Sequence, residues 1–177
     1  MSRFTACLPV ILKFEGGFVD HPKDPGGATN LGVTLKTARA FDLDVDHDGD
    51  VDKIDVRKLT AADVGPVYRK GYWDACRCDD LPAGVDLMVF DCAVNQGPRR
   101  AREFLQAALR VRVDGQIGSH TLAAARAAPP GPLVEAIADA REHHYRSLSS
   151  WPTFGRGWLR RLKHVEALAL ACVGERP

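Results

Sequence analysis

The chain has 177 residues, 45% of them apolar and 27% charged, with a formal net charge of +1. That is enough to bury a core in one domain or in two small lobes without metal or disulfide help. No apolar stretch is long enough to span a membrane, and five cysteines (Cys7, Cys76, Cys78, Cys92, Cys172) in no scaffold spacing argue against a disulfide framework and for reduced thiols.

In chain order, Phe4, Leu8, Ile11, Leu12 and Glu15 share one side of a helix that Gly16-Gly17 stops. Residues 18–33, rich in Gly, Pro, Asp and Asn, read as turns with a small hairpin. Thr34 caps a short helix through Phe41, an acidic stretch follows over 42–55, and Thr60 with Asp63 opens a helix running toward Trp73. The run "GVDLMVFDCAVNQGP", 84–98, is apolar almost all round and predicts a central buried helix ended by Gly97, with Pro98 in the first turn of the next. Ser119 is placed to cap a further helix. Pro129, Pro130 and Pro132 are expected to break the chain before a helix over about 133–148, and a last amphipathic helix is expected over about 156–172. The fold class is therefore mainly α, a helical bundle with a small irregular or β segment near the N-terminus.

Charge is divided unevenly. Residues 1–94 carry 16 acidic against 11 basic side chains, and 95–177 carry 7 against 13, balances of −5 and +6. The basic half suits a polyanion such as an acidic cell wall, or else it is a solvated face. Cys76-Arg77-Cys78 has no second cluster with which to hold zinc. The start of the chain has no cleavage site after its short apolar stretch, so synthesis in the cytoplasm without a cleavable signal is expected.

"DVDHDGDVDKID", 44–55, has the spacing of a twelve-residue, EF-hand-like calcium loop. Asp44, Asp46 and Asp48 stand at positions 1, 3 and 5, Gly49 at 6 and Asp55 at 12. Asp50 would offer its carbonyl at position 7, and Asp52 would act through water. Six aspartates packed this closely repel one another without a cation. Asp in place of Glu at position 12 shortens the last ligand. The expected Ca²⁺ role is structural.

Glycoside hydrolysis requires a carboxyl group that holds its proton near neutral pH, often with a second carboxylate across the scissile bond. Glu15, the only glutamate in the first 100 residues, is flanked by Phe14 and Phe18, and Asp24 follows in a Pro-Gly-Gly turn. Taken alone, these residues read equally as a satisfied helix end and a turn cap.

The stretches "EGGFVDHPKDPGGATNLGVT", "YRKGYW" and "FDCAVNQGP" resemble the glycoside hydrolase family 108 lysozymes, N-acetylmuramidases of phage endolysins and of bacterial secretion. "VDGQIGSHTLAA" and "FGRGWLRRL" resemble that family's C-terminal peptidoglycan-binding region. The resemblance implies a lysozyme-like α+β fold, a catalytic region 1–94 and a binding region 95–177. It also implies cleavage of the β-1,4 bond between N-acetylmuramic acid and N-acetylglucosamine. It makes Glu15 the general acid and Asp24, with Asp20 as a competing carboxylate, the group that directs water together with Thr29 or Asn30. Asn30, Tyr72, Trp73 and Asn95 become candidate substrate contacts. The expected partner is the peptidoglycan glycan strand, met in the periplasm or cell wall after release, by a monomer with no nucleic-acid partner and no stable membrane insertion. Two rival functions share these residues: a lytic transglycosylase using the same glutamate, and a non-catalytic, calcium-dependent wall-binding module.

Overall fold

A computed structural model describes residues 2–20 and 27–174. The chain divides into two compact units, Thr5–Lys70 on one hand and Met1–Phe4 with Gly71–Pro177 on the other. Among the described residues the structure is mainly α with one two-stranded sheet, as the sequence predicts.

In the Thr5–Lys70 unit, helix α1 (Arg3–Glu15) buries Cys7, Leu8 and Ile11, the i, i+1, i+4 stripe of an amphipathic helix. The expected hairpin forms from β1 (Thr29–Asn30) and β2 (Val33–Thr34), with Asn30 opposite Val33 and Thr29 opposite Thr34. Its two-residue turn, Leu31-Gly32, has φ +47° and +74°. Positive φ at both turn positions matches the right-handed twist of the strands and favours glycine. Helix α2 (Leu35–Ala40) is capped as expected by Thr34, whose Oγ1 accepts from Thr37 N at 3.2 Å. After the acidic loop come α3 (Lys53–Lys58) and α4 (Ala61–Tyr68), the latter opened by Asp63 Oδ2 accepting from Thr60 N at 2.8 Å.

The Gly71–Pro177 unit opens within a π-helical turn, Arg69–Trp73, and continues through two 3-10 turns to α5 (Val85–Gln96), α6 (Pro98–Ala108), α7 (Ser119–Ala127), α8 (Pro130–Ser147) and α9 (Trp151–Ala171). Helix α5 is central, packed by α6, α8 and α9, and every residue from Val85 to Ala93 is buried. Three boundaries differ from the sequence expectation. Pro130 and Pro132 lie inside the first turn of α8, where a missing N–H costs nothing because that group has no intrahelical acceptor. Helix α9 begins at Trp151, and Gly155 within it has a packing reason: a Cβ there would stand 2.5–2.8 Å from Trp151 ring atoms. Ser119 is the first residue of α7 rather than its cap, which is Gly118.

The core of this unit also holds charge. Asp91 on α5 is fully buried between Arg141 of α8 (Nη2 to Oδ2, 2.6 Å) and Arg161 of α9 (Nε to Oδ1, 2.8 Å). Arg141, itself fully buried, also donates to Gln96 Oε1 at 3.0 Å and to the Tyr145 hydroxyl at 3.3 Å. All five cysteines are free, and Cys7, Cys76, Cys78 and Cys92 are buried. Burial pushes the Cys76 thiol up to about 12 and the Cys92 thiol up to about 11. A neutral thiol is a poor nucleophile and a poor metal ligand.

Candidate active site

Glu15 is the last residue of α1, half-buried, and the chain turns away directly after it through Gly16 at φ +77°. The main chain at Gly32 approaches it closely. A Cβ built on Gly32 would stand 3.1 Å from Glu15 Oε2 and 3.5 Å from Glu15 Cβ, and it would collide with the Tyr68 hydroxyl. The hairpin turn is thus pressed against the carboxyl group at the one position without a side chain.

Two side chains hold the hairpin in that place. Tyr68, at the end of α4 and 2% exposed, donates its hydroxyl to Leu31 O at 2.9 Å. Asn30, 7% exposed, directs Nδ2 at the carbonyls that close α3: Val56 O at 2.9 Å, Arg57 O at 3.2 Å and Leu59 O at 3.4 Å. Those carbonyls have no helical partner of their own, so a buried amide donor satisfies them and ties α3 to β1. Asn30 is therefore a hairpin anchor, with its amide turned toward α3.

The other expected residues separate in the same way. Thr29 is half-buried in β1, with Oγ1 3.4 Å from Gly27 O. Asp24 lies outside the described residues. Asp20 forms an ion pair with Lys53 at 3.1 Å. In the Gly71–Pro177 unit, Trp73 is fully buried, packed edge-on against Phe4 (5.5 Å) and Phe90 (5.2 Å), with its indole N–H donating to Asp79 Oδ1 at 2.9 Å. It is a core ring. Tyr72 is half-buried and Asn95 is exposed, its Oδ1 accepting from the Tyr145 hydroxyl at 2.5 Å. Sequence reasoning passed over Gly32 and Tyr68. The "NLGV" turn signal and the first aromatic of "YRKGYW" were the available clues.

The acidic loop places its carboxylates in two groups rather than one. Oxygens of Asp44, Asp46 and Asp48 lie within 4.8 Å of one another, and so do those of Asp50, Asp52 and Asp55. Asp55, 1% exposed, closes the loop by accepting from Val45 N (2.7 Å), Asp46 N (3.3 Å) and Asp52 N (2.8 Å). Burial alone would raise its pKa, but these backbone bonds outweigh it and hold Asp55 below the usual carboxylate value. Asp44 accepts from His47 N at 2.7 Å and Gly49 N at 3.1 Å, and Gly49 supplies the φ of +97° at the sharp bend. Lys58 Nζ sits 2.8 Å from Asp46 Oδ2, and that bond raises the ammonium pKa. Asp46 Oδ1 is buried and accepts no hydrogen bond. Three short acidic side chains around a glycine bend, one with an unsatisfied oxygen, are a donor set that fits a hard cation.

The family model for Glycosyl hydrolase 108 matches residues 8–97, the span that holds Glu15, the hairpin, Tyr68 and the acidic loop. The chain belongs to glycosyl hydrolase family 108. A second model, described as Predicted Peptidoglycan domain, matches residues 100–163 of this family 108 chain. Among solved structures, that of Brucella abortus SagA is 41% identical and has a TM-score of 0.80, over 97% of this chain and 96% of that one. No curated protein sequence gives a significant match. As a family 108 member the chain is a glycoside hydrolase acting on peptidoglycan, with the mainly α, lysozyme-like fold expected. No helix among its described residues is long and apolar enough to cross a membrane.

Proposed function

We propose that this family 108 hydrolase is an N-acetylmuramidase, cleaving the β-1,4 bond between N-acetylmuramic acid and N-acetylglucosamine, with Glu15 as general acid. The observation that carries the reading is the seat of Glu15: a helix-end carboxyl group, half-exposed, held against the Gly32 main chain by a hairpin that Tyr68 and Asn30 anchor. A general acid must reach substrate while its own position stays fixed, and this arrangement does both. In the proposed reaction Glu15 gives its proton to the leaving glycosidic oxygen as the bond to the anomeric carbon breaks. Water attacks that carbon from the opposite face and gives its proton to a second carboxylate, Asp24 or Asp20, with Thr29 helping to orient it. Tyr72 and Asn95 keep the exposure that a sugar contact needs. The reading assigns catalysis to residues 1–94 and wall binding to 95–177, working as a monomer on the cell wall.

Digestion of purified peptidoglycan followed by mass spectrometry tests this. Reducing-end muramic acid is expected. 1,6-Anhydro ends would make the chain a lytic transglycosylase, and sedimentation with the wall without soluble fragments would make it a binding module.

We further propose that Ca²⁺ binds at residues 44–55, with Asp44, Asp46 and Asp48 as carboxylate ligands, Asp50 through its carbonyl and Asp55 at the end of the loop. The ion would supply the counter-charge for which Lys58 now provides a single ammonium, and its role is structural. A ligand that binds only the folded chain raises its melting temperature. Millimolar Ca²⁺ is expected to raise it by several degrees in a thermal-shift assay, and the double substitution Asp46→Ala with Asp48→Ala is expected to remove the gain. An unchanged wild-type melting temperature would remove calcium from the account.

A further inference from the structure

The Gly71–Pro177 unit carries a column of three rings that runs from its core to its surface. Tyr145 (2% exposed) lies 5.3 Å from Trp158 at an interplanar angle of 31°, and Trp158 lies 5.9 Å from Phe154 at 29°. The inner pair is tilted and the outer pair stacked, and the column runs from a buried ring to one that is 56% exposed. Its inner end is fixed: the Tyr145 hydroxyl donates to Asn95 Oδ1 and accepts from Arg141, which is itself locked on Asp91. Phe154 and Trp158 are an i, i+4 pair on α9, so helix geometry holds the outer end in register. A single exposed phenylalanine is ordinary. An exposed phenylalanine that ends a stacked, hydrogen-bond-anchored column is a preorganised flat surface, which binds with little loss of side-chain freedom.

Helix α8 links the column to a cationic hollow, through His144 next to Tyr145. Asn95 precedes the α5–α6 junction, where residues from Gln96 to Glu103 line a space of about 480 Å³. Arg99 there is neutralised by Glu103 at 2.9 Å. Arg100 instead donates to the ring of His144, which directly precedes Tyr145 on α8, and no carboxylate among the described residues pairs with it. Burial and then the Arg100 charge both lower the His144 pKa, so at neutral pH the imidazole accepts from Arg100 and adds no charge of its own. Arg100 therefore keeps a positive charge available for an outside anion.

We propose that Phe154 and Trp158, together with Asn95 and Arg100, form an extended binding site for the peptidoglycan strand: the rings stack on the apolar face of a sugar, and the Arg100 guanidinium takes a carboxylate of the lactyl-peptide arm. The inference rests on the reading that peptidoglycan is the substrate, and it adds a subsite remote in sequence from Glu15. Arginine suits this task because its planar fork matches a carboxylate. The strand is an occupant that pairs flat sugars with regularly spaced carboxylates, which fits a ring platform and an uncompensated guanidinium joined through α8.

Sedimentation of the full chain with insoluble peptidoglycan, brief and cold to limit digestion, tests the site across a range of salt. Phe154→Ala is expected to bind about tenfold more weakly while keeping the salt dependence of the wild type. Arg100→Gln is expected to bind more weakly at low salt and to lose most of that dependence. Phe154→Leu, which keeps apolar bulk without the ring, is expected to share the Phe154→Ala loss, with circular dichroism confirming the fold of each variant. Wild-type affinity in both Phe154 variants, or full salt dependence in Arg100→Gln, overturns the proposal. If the wild type neither sediments with the wall nor digests it, the substrate reading itself fails. If it digests the wall and the variants bind unchanged, only this site fails.

Discussion

Glu15→Gln should fold as the parent does and lose about 100- to 10,000-fold of its rate on peptidoglycan, the usual contribution of a positioned general acid. The substitution is nearly isosteric, so the contacts that seat residue 15 against Gly32 can persist while the transferable proton is gone. The loss should fall on the chemical step. Sedimentation with the wall should stay at the wild-type level, because the proposed ring platform and Arg100 are untouched. Wild-type lysis by a variant with an unchanged circular dichroism spectrum would remove Glu15 from the mechanism. Reduced sedimentation together with reduced lysis would instead make Glu15 a binding residue.

The second large effect concerns stability rather than chemistry. Asp91→Asn should cost about 3–5 kcal/mol, because it leaves two guanidiniums in the core without their shared counter-charge. Arg141 is fully buried and the Arg161 side chain is 11% exposed, so water can relieve neither charge well. A typical domain has only about 5–15 kcal/mol to lose. The midpoint of a urea titration should therefore fall sharply. The double substitution Asp91→Asn with Arg141→Met should recover part of the loss, since it removes one of the stranded cations. A midpoint within the error of the wild type for Asp91→Asn would mean that solvent reaches this cluster.

Wherever local chemistry decides, the sequence predicts the structure well. Thr34 and Asp63 cap helices because a short oxygen-bearing side chain next to an unsatisfied N–H needs nothing else. The run from Val85 to Ala93 is buried because nearly every position in it is apolar. The misreadings have a common cause. Pro130, Pro132 and Gly155 are helix breakers in isolation, and position in the first turn or contact with the Trp151 ring reverses their meaning. The Asp91 cluster joins residues 50 and 70 positions apart, which no local pattern reveals.

The candidate site divides along the same line. Glu15 stands out in the sequence as a lone glutamate at a helix end. Asn30 and Trp73 carry side chains that suit sugar binding, yet the fold uses both inward: the amide closes α3, and the indole fills the core beside Phe4 and Phe90. Tyr68 is the reverse case, a core-like aromatic in sequence whose hydroxyl reaches the turn facing the acid. Which of the three aromatics in "YRKGYW" face inward depends on where the π-helical turn begins, and the sequence has no signal for that.

The close approach at Gly32 bears on how freely this region can vary. The part of the hairpin that approaches the Glu15 carboxyl group at Gly32 is peptide, identical in every protein, so drift at neighbouring hairpin positions leaves that contact unchanged. Tolerance then becomes steeply uneven along the hairpin. Its strand residues can exchange for others of similar shape, whereas position 32 admits no alternative among the twenty, because any added carbon meets the Tyr68 hydroxyl and forces an unfavourable left-handed backbone on a side chain.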